Sequence, residues 1–483
     1  MIELDSGMGD ARRPAVRLGL RRSLAAVRIR ARRLVRQLLS HELGQRIHAE
    51  WVEGRAWLDR AIVLAFAVAT GALVVGFTML AEWSNEGYRL LSGSSEPGRF
   101  LMLLWTPLVT VAVLWVTLRW APGTGGSGIP QVVRALDDDL VPPRTHGLVG
   151  LGLSLHKIGL VSAGMLGGLS IGREGPTVQV GAGVMLHARR WLSPGSGIDA
   201  HDLMVAGAAA GIAAAFNTPL GGIVFALEQL TRRRHLAHST LVIACIVLAG
   251  LVSVSVFGNE THFGRLKVQE VPAGLVLPGL VVALTAGIAG GLFSRLIVLS
   301  MKARDDRFGR WRSAYPYRFA AACAVAVAVI GLVTSGTTAG AGYQTTKALL
   351  EGRGEVSLVY TPLKFVATWL STWAGVPAGV FAPSLAIGAG IGHDVAWLLG
   401  VGAQQAIPLI AVGMAGFLAA STGGPITAFI IVMEMVSGHA MVLSLMAGVL
   451  VASGAGRLLS RPMYVELAGL LSVPANERRG PSP

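Results

Sequence analysis

Long apolar runs separated by short polar segments dominate the chain. Runs of membrane-spanning length include Ala61–Leu80 and Leu101–Leu118, and two further apolar stretches cover about residues 239–257 and 272–300. A helix of about 20 predominantly apolar residues is long enough to cross the hydrocarbon core of a bilayer. The pattern therefore predicts an all-α polytopic membrane protein in which short polar loops connect many helices.

Composition agrees with this assignment and narrows it. Of the 483 residues, 52% are hydrophobic and 14% are charged, whereas an ordinary soluble domain is about 25% charged. A soluble enzyme, a disordered chain and a collagen are thereby excluded. The net charge of +14 sits in the short polar segments, so the excess of basic residues in cytosolic loops explains it better than nucleic-acid binding does. Cys245 and Cys323 lie in apolar stretches, where cysteine packs as a small hydrophobe, and neither a metal nor a cofactor is predicted.

The two ends of the chain are polar. Residues 1–60 are rich in arginine, and apolar residues such as Val16 and Leu20 recur at helical spacing. This pattern predicts a basic amphipathic helix lying on an anionic membrane surface. A cleaved targeting peptide is the alternative, but the apolar core of such a peptide is missing. The positive-inside rule places this segment, the Arg232–Arg234 loop and the short tail 471–483 in the cytosol.

The membrane region, about residues 61–470, contains an internal repeat. Gly207–Glu228 matches Gly413–Glu434 at an offset of 206 residues (413 − 207), and Gly172–Pro176 matches Gly379–Pro383 at an offset of 207 (379 − 172). Two independent matches at nearly the same offset indicate two related halves, about 61–257 and 272–465. Duplicated halves with broken helices are typical of transporters. The repeat alone leaves open whether the halves run parallel or inverted.

Three glycine-rich breaks interrupt the apolar sequence, and each ends in proline. They are GSGIP at Gly126–Pro130, GREGP at Gly172–Pro176 and GVFAP at Gly379–Pro383. Glycine frees the backbone and proline is favoured in the first turn of a helix, so each break predicts a helix N-terminus. A single break of this kind could be a mere connector. Three in one chain favour an anion site, because helix N-termini carry unpaired N–H groups and the positive end of the dipole.

These motifs in this order, followed by Tyr464, resemble those of the CLC family of chloride channels and chloride/proton exchangers, of the prokaryotic type without a C-terminal regulatory domain. The resemblance covers nearly the whole membrane region. It implies two inverted repeats with many tilted and broken helices, and a homodimer with a separate pore in each subunit. It also implies a lipid-embedded protein of the cell (inner) membrane with cytosolic termini, which transports chloride and similar monovalent anions, with protons as partners in exchangers, and which is not an enzyme.

The resemblance also assigns the residues of the site. The Ser127 hydroxyl and the Tyr464 phenol, together with backbone N–H groups in the third motif, would form the central chloride site. The residues that supply these N–H groups are Val380 and Phe381. No full positive charge needs to touch the ion, and dipoles permit both binding and release. The backbone of the three motifs would shape the filter through Gly126, Gly128, Ile129, Pro130, Gly172, Arg173, Gly175, Pro176, Gly379, Ala382 and Pro383.

Glu174, within GREGP, matches the family's gating glutamate. When ionised it would occupy an anion position and block the path, and when protonated it would swing away, which links gating to protons. A plain ion pair with Arg173 is the alternative. Glu228 and Glu434 occupy the same place in both halves, which favours a structural role in capping backbone N–H groups over a proton relay. Lys157 matches a basic residue near the inner vestibule, where it would raise the local anion concentration.

One position departs from the exchanger pattern. Family exchangers carry a second, inner glutamate directly after the residue that matches Glu228, and here that position is the non-titratable Gln229. The sequence therefore predicts channel-like or weakly proton-coupled chloride transport, with a stoichiometric chloride/proton antiporter as the alternative. A secondary transporter of another anion is more remote, and the acidic cluster Asp137–Asp139 is interpreted as a solvated loop rather than an enzyme site. Ser127 implies that bromide and nitrate pass with chloride and that sulfate passes little.

Overall fold

The structure is a computed structural model that describes residues 42–93, 96–137, 147–231, 239–258, 263–264, 272–302, 306–354 and 356–471. The basic leader up to residue 41, the Arg232–Arg234 loop and the tail from residue 472 lie outside the described residues, as do Asp138 and Asp139. The chain divides into two compact units, residues 1–61 and 62–483. Within the first unit, the described residues belong to one helix that begins at Glu42.

The described residues form 18 α-helices. Those of the first half are α1 (Glu42–Gly93), α2 (Glu96–Trp120), α3 (Ile129–Ala135), α4 (Leu151–Leu166), α5 (Glu174–Ala188), α6 (Ala200–Phe216), α7 (Pro219–Phe225) and α8 (Ser239–Phe257). Those of the second half are α9 (Val276–Met301), α10 (Arg307–Ala314), α11 (Pro316–Val333), α12 (Tyr343–Leu350), α13 (Tyr360–Trp373), α14 (Phe381–Leu398), α15 (Ala403–Thr422), α16 (Pro425–Met435), α17 (Val442–Arg457) and α18 (Met463–Leu470). A π-helical turn, Ala226–Leu230, continues α7.

Seven of these helices are long and apolar enough to cross a membrane: α1, α2, α8, α9, α11, α15 and α17. The apolar segment Ala403–Thr422 of α15 is 89% buried within the protein, whereas the buried share is 44% or less in the other six. The fold therefore surrounds α15 with protein, while the other six helices present apolar surface outward. This arrangement confirms the polytopic membrane protein that hydropathy predicts.

Several helices in the interior are too short to span a bilayer. Helices α3 and α7 have seven residues each, and α12 and α18 have eight. At about 1.5 Å per residue, such a helix covers far less than the hydrocarbon thickness of about 30 Å. Lipid offers no hydrogen-bond partner to the exposed ends of a broken helix, so these ends require partners from the protein.

Glycine pairs bring the central helices of each half into close contact. A Cβ added to Gly181 of α5 would lie 2.1 Å from the carbonyl oxygen of Gly207 in α6. In the second half, a Cβ added to Gly388 of α14 would lie 2.4 Å from the carbonyl oxygen of Gly413 in α15. Any larger residue would push these backbones apart. The sequence repeat is therefore a repeat of packing as well.

The two halves also cap one another's helices. The Glu228 carboxylate accepts hydrogen bonds from two backbone N–H groups at the start of α16, at 3.0 and 2.7 Å. The Glu434 carboxylate accepts two from the start of α7, at 3.1 and 2.6 Å. These bonds satisfy N–H groups that have no partner within their own helix. The predicted structural role of both glutamates is confirmed, and the reciprocal exchange fits the predicted pair of inverted repeats.

Candidate anion-transport site

Backbone hydrogen bonds join the three glycine-rich breaks in the interior. Gly126 N–H donates to the Val376 carbonyl at 3.2 Å, and Ala378 N–H donates back to the Gly126 carbonyl at 3.1 Å. Gly172 and Gly379 exchange two bonds of 2.7 and 3.1 Å, as in a single antiparallel bridge. These bonds hold the N-termini of α3, α5 and α14 against each other, as the motifs predict for an anion site.

Two buried hydroxyl groups lie close together at this junction. The side chains of Ser127 and Tyr464 are 6% and 1% exposed. The phenol of Tyr464 lies beside Ser127, yet neither hydroxyl has a hydrogen-bond partner of acceptable geometry among the described residues. Leaving a buried polar group unpaired costs about 1–3 kcal/mol. The pair therefore has spare hydrogen-bonding capacity that a buried ligand would satisfy.

The start of α14 adds backbone donors two residues after Ala378, which hydrogen-bonds to Gly126 in the Ser127 loop. Val380 precedes the helix and Phe381 is its first residue, so their N–H groups have no partner within the helix. Both residues are buried, with 2% and 1% exposed. The Ser127 loop packs tightly on the second motif as well, because a Cβ at Gly175 would lie 2.3 Å from the Ser127 oxygen. The structure thus brings the four predicted donors to one region of the interior.

Glu174 is the first residue of α5 and is fully buried. Its Oε1 accepts a hydrogen bond from the Tyr343 hydroxyl and lies 3.7 Å from Nε of Arg173. Arg173 makes a closer ion pair of 3.1 Å with Glu82. The other carboxylate oxygen, Oε2, has no partner among the described residues. A plain ion pair with Arg173 therefore does not account for the position of Glu174.

A cavity of about 750 Å³, here called the vestibule, leads towards this glutamate. Its lining includes Glu82, Arg173, Tyr343 and Lys347. The Glu174 side chain is not part of the lining, because it lies buried directly behind Tyr343 and Arg173. The vestibule therefore ends at Tyr343 and Arg173, the two residues that contact the Glu174 carboxylate.

Two buried lysines hold the loops of the site. Lys157 is fully buried and donates to the carbonyls of Thr124 and Gly126, at 2.5 and 2.6 Å. Lys364 is equally buried and donates to two carbonyls of the loop before α12, at 2.9 and 2.7 Å. The expectation that Lys157 lies near an inner vestibule and raises the local anion concentration is therefore wrong, because the side chain is fully buried. The apolar burial of its stem and its carbonyl partners make it a structural residue.

The lysine pair reveals a fourth break that the sequence motifs do not show. Gly340 and Gly342, before α12, are the counterparts of Gly126 and Gly128 at an offset of 214 residues (340 − 126). All four adopt positive φ, at 61° and 85° in the second half and 73° and 103° in the first. The fourth break lacks a proline and departs from the 207-residue offset, so a search for glycine–proline motifs misses it. Its first helical residue is Tyr343, which sequence reasoning also missed.

Gln229 lies near the start of α16. It is 5% exposed and belongs to the π-helical turn after α7. A Cβ added to Gly424, at the start of α16, would lie 2.1 Å from its amide nitrogen. The side chain is therefore enclosed where the two halves meet, and its amide cannot carry a proton as a carboxylate does.

One cluster in the described part of the chain has the composition of a metal site. Asp199, His201 and Asp202 place their ligand atoms within 4.8 Å of one another. Asp199 caps α6 by accepting the N–H of Asp202 at 2.8 Å. Carboxylates at a helix N-terminus are stabilised by the positive end of the dipole, which a cation would oppose. Helix capping therefore explains the cluster.

The fold and the site define a class: membrane transport proteins built from inverted repeats, with broken helices that aim N-termini at a buried site. A sequence profile described as "Voltage gated chloride channel" matches residues 108–457. The chain belongs to this family, the CLC family.

Comparisons with individual relatives and solved structures agree with this family assignment. The chain is 27% identical over 432 residues to the H(+)/Cl(-) exchange transporter ClcA of Citrobacter koseri, covering 84% of this chain and 87% of the relative. It is 29% identical over 429 residues to ClcA of Cronobacter sakazakii, covering 83% and 88%. Among solved structures, a slow cyanobacterial Cl-/H+ antiporter superposes with a TM-score of 0.71 at 23% identity, covering 85% of this chain and 97% of that one. A CLC-type fluoride/proton antiporter gives 0.68 at 22% identity, with the same coverage. At these identities the structures support the fold alone.

Proposed function

We propose that this protein transports chloride across a membrane along a path that passes Glu174 and the Ser127–Tyr464 pair. The observation that carries the proposal is the pair of buried hydroxyls that have no hydrogen-bond partner among the described residues, of which Ser127 lies in a loop bonded to the segment before α14. An anion that leaves water needs donors to replace its hydration shell. Hydroxyl and N–H dipoles supply them without the full countercharge that would trap the ion.

Glu174 is the gate in this proposal. In the proposed path its fully buried carboxylate lies between the vestibule, taken as the outward-facing mouth, and the hydroxyl pair. An ionised carboxylate at membrane depth is costly unless it is paired or functional. Its negative charge competes with the anion, and protonation removes this competition. Chloride passage should therefore depend on the pH of the vestibule side.

Transport is channel-like or only weakly coupled to protons in the leading form of the proposal. Gln229 supports this form, because an amide in place of the exchangers' inner glutamate interrupts a carboxylate route for protons. A stoichiometric chloride/proton antiporter is the second candidate. The names of the relatives favour it, since they are described as H(+)/Cl(-) exchange transporters.

The reversal potential of the purified protein in a bilayer decides between the two. Under a chloride gradient and then a pH gradient, a channel-like protein follows chloride alone, whereas an antiporter shifts with pH as well. The basic test of transport is chloride efflux from proteoliposomes, read with an electrode. We expect bromide and nitrate to pass with chloride, and sulfate flux faster than chloride flux would favour a transporter of another anion.

We further propose a homodimer of lipid-embedded subunits in the cell (inner) membrane, with residues 61–470 as the transport domain and both termini in the cytosol. The family resemblance supports the dimer. The placement of the termini is supported by the basic segments at 1–60 and 232–234. Light scattering of the detergent-solubilised protein measures the subunit number. Labelling of single cysteines added at each terminus, in intact and in opened cells, measures the orientation.

A further inference from the structure

Tyr343 contacts the proposed gate from the fourth glycine break. We propose that Tyr343 is a positioning residue whose hydroxyl holds the Glu174 carboxylate in the closed position. The inference rests on the function proposed above, because it requires Glu174 to be the gate. The contact joins residues 169 positions apart in the chain.

A cation–π contact holds the aromatic ring of Tyr343. The Arg173 guanidinium lies over the Tyr343 ring, with 5.3 Å between its central carbon and the ring centroid. Arg173 itself is held by Glu82 at 3.1 Å. The Tyr343 hydroxyl therefore points at Glu174 from a ring that the Arg173 guanidinium covers, and this cation–π contact limits the movement of the ring.

The backbone of Tyr343 is fixed as well. Gly342 has a φ of 85°, and a Cβ there would lie 2.6 Å from the Ala386 side chain on α14. Two residues earlier, Gly340 donates its N–H to the Leu169 carbonyl at 3.0 Å and accepts from Lys364 at 2.7 Å. The start of α12 therefore has little freedom, and the Tyr343 hydroxyl is a preorganised donor.

The held carboxylate lies between the vestibule and the candidate anion site. On one side it meets Tyr343 and Arg173, which line the vestibule. The next residue in the chain, Gly175, packs against the Ser127 hydroxyl of the pair. Since Glu174 is 0% exposed, the geometry is that of a closed path, and the Tyr343 bond stabilises this closed state.

Four titratable or charged groups face the carboxylate or its immediate partner: Arg173 at the start of α5, Glu82 of α1 through Arg173, Tyr343 of α12 and Tyr464 of α18. Of these, Tyr343 makes the hydrogen bond. A donor stabilises an ionised carboxylate more than a neutral one, so loss of the hydroxyl favours protonation. The gate should then open at a less acidic pH.

The experiment is chloride efflux from proteoliposomes as a function of pH on the vestibule side, with the full chain. Tyr343→Phe should move the midpoint of the pH profile upward by about one unit, equivalent to about 1.4 kcal/mol, and raise flux at neutral pH severalfold. Tyr317→Phe is the control, because Tyr317 lies on α11, is 38% exposed and does not line the vestibule. Its profile should match the unmodified protein.

Two further variants complete the test. Tyr343→Leu removes the ring together with the hydroxyl, should shift the profile in the same direction, and replaces Tyr343→Phe if that variant does not fold. In a Glu174→Gln background, Tyr343→Phe should change nothing further, since its effect acts through the carboxylate. Unchanged profiles in both Tyr343 variants, or a shift that persists with Glu174→Gln, would overturn the inference while leaving chloride transport intact. Absence of chloride flux in the unmodified protein would instead overturn the proposed function, and the inference with it.

Discussion

Replacing Tyr464 by phenylalanine removes one oxygen from the candidate chloride site and leaves the ring in place. The phenol is buried and has no hydrogen-bond partner among the described residues. Its removal therefore leaves no described group without a partner that it had before, and folding stability measured without chloride should not fall. The same reasoning applies to Ser127→Ala. Both variants should lose chloride affinity without losing stability.

The magnitude follows from the number of donors that remain. Hydrogen bonds to charged groups contribute about 1.5–3 kcal/mol, and the N–H donors at the start of α14 stay in place. We therefore expect a loss of about 1–2 kcal/mol for each hydroxyl, which is about a 5- to 30-fold rise in the dissociation constant. Because the two hydroxyls are neighbours, the double variant should deviate from the sum of the single effects.

Calorimetric titration of chloride into protein prepared without chloride measures these constants directly. Ser253→Ala is the control, since the Ser253 hydroxyl is also buried but donates to the Ala214 carbonyl at 2.8 Å. That variant should keep the chloride affinity and lose thermal stability, the reverse of Ser127→Ala. Folded Tyr464→Phe and Ser127→Ala proteins with unchanged chloride affinity would refute the assignment of the hydroxyl pair.

Three further predictions address the gate, the coupling and the caps. Glu174→Gln should keep or raise chloride flux and remove most of its dependence on vestibule pH, and a folded variant without any flux would contradict the gate. Gln229→Glu should introduce or strengthen proton coupling, measured as proton uptake driven by a chloride gradient. Uphill proton movement in the unmodified protein would refute weak coupling. Glu434→Gln weakens the cap of α7, so it should lower the free energy of unfolding by about 1–2 kcal/mol and with it the melting temperature. The pH profile of transport should not change, since this cap is not part of the proposed chloride path.

The features that could be predicted from the sequence are those with local chemistry. Glycine and proline act on their own segment of backbone, so the breaks at 126–130, 172–176 and 379–383 predict helix starts before any contact is known. The duplicated Glu228 and Glu434 indicated a structural role because the same residue recurs at the same place in both halves. Burial and partners were needed only to show which N–H groups they cap.

The features that could not be predicted depend on contacts between distant segments. Tyr343 meets Glu174 across 169 residues, and nothing in its neighbourhood marks it as part of a gate. Lys157 could have faced an open vestibule or the backbone of a loop, and the two alternatives look the same in an apolar helical sequence. Only the fold shows that the Lys157 side-chain nitrogen donates hydrogen bonds to two backbone carbonyls.

The two buried lysines allow a test of whether the first glycine break supports chloride binding and the fourth supports the Glu174 gate. Lys157 supports the loop that carries Ser127, and Lys364 supports the loop that carries Tyr343. Methionine has a similar length but no donors, so Lys157→Met should loosen the first loop and Lys364→Met the second. Each variant leaves two buried carbonyls without their lysine donor, which costs about 1–3 kcal/mol per group, so thermal unfolding of both variants is measured before their transport is compared.

Lys157→Met should therefore raise the chloride dissociation constant, by about tenfold or about 1.4 kcal/mol, with little change in the pH midpoint of flux. Lys364→Met should do the opposite: chloride affinity is kept, and the midpoint moves upward as in Tyr343→Phe, because the donor to Glu174 is no longer held. Calorimetry and proteoliposome flux on the same preparations give both quantities. If both variants changed the same quantity by the same amount, the first break would not act on chloride binding alone, and the fourth break would not act on the gate alone.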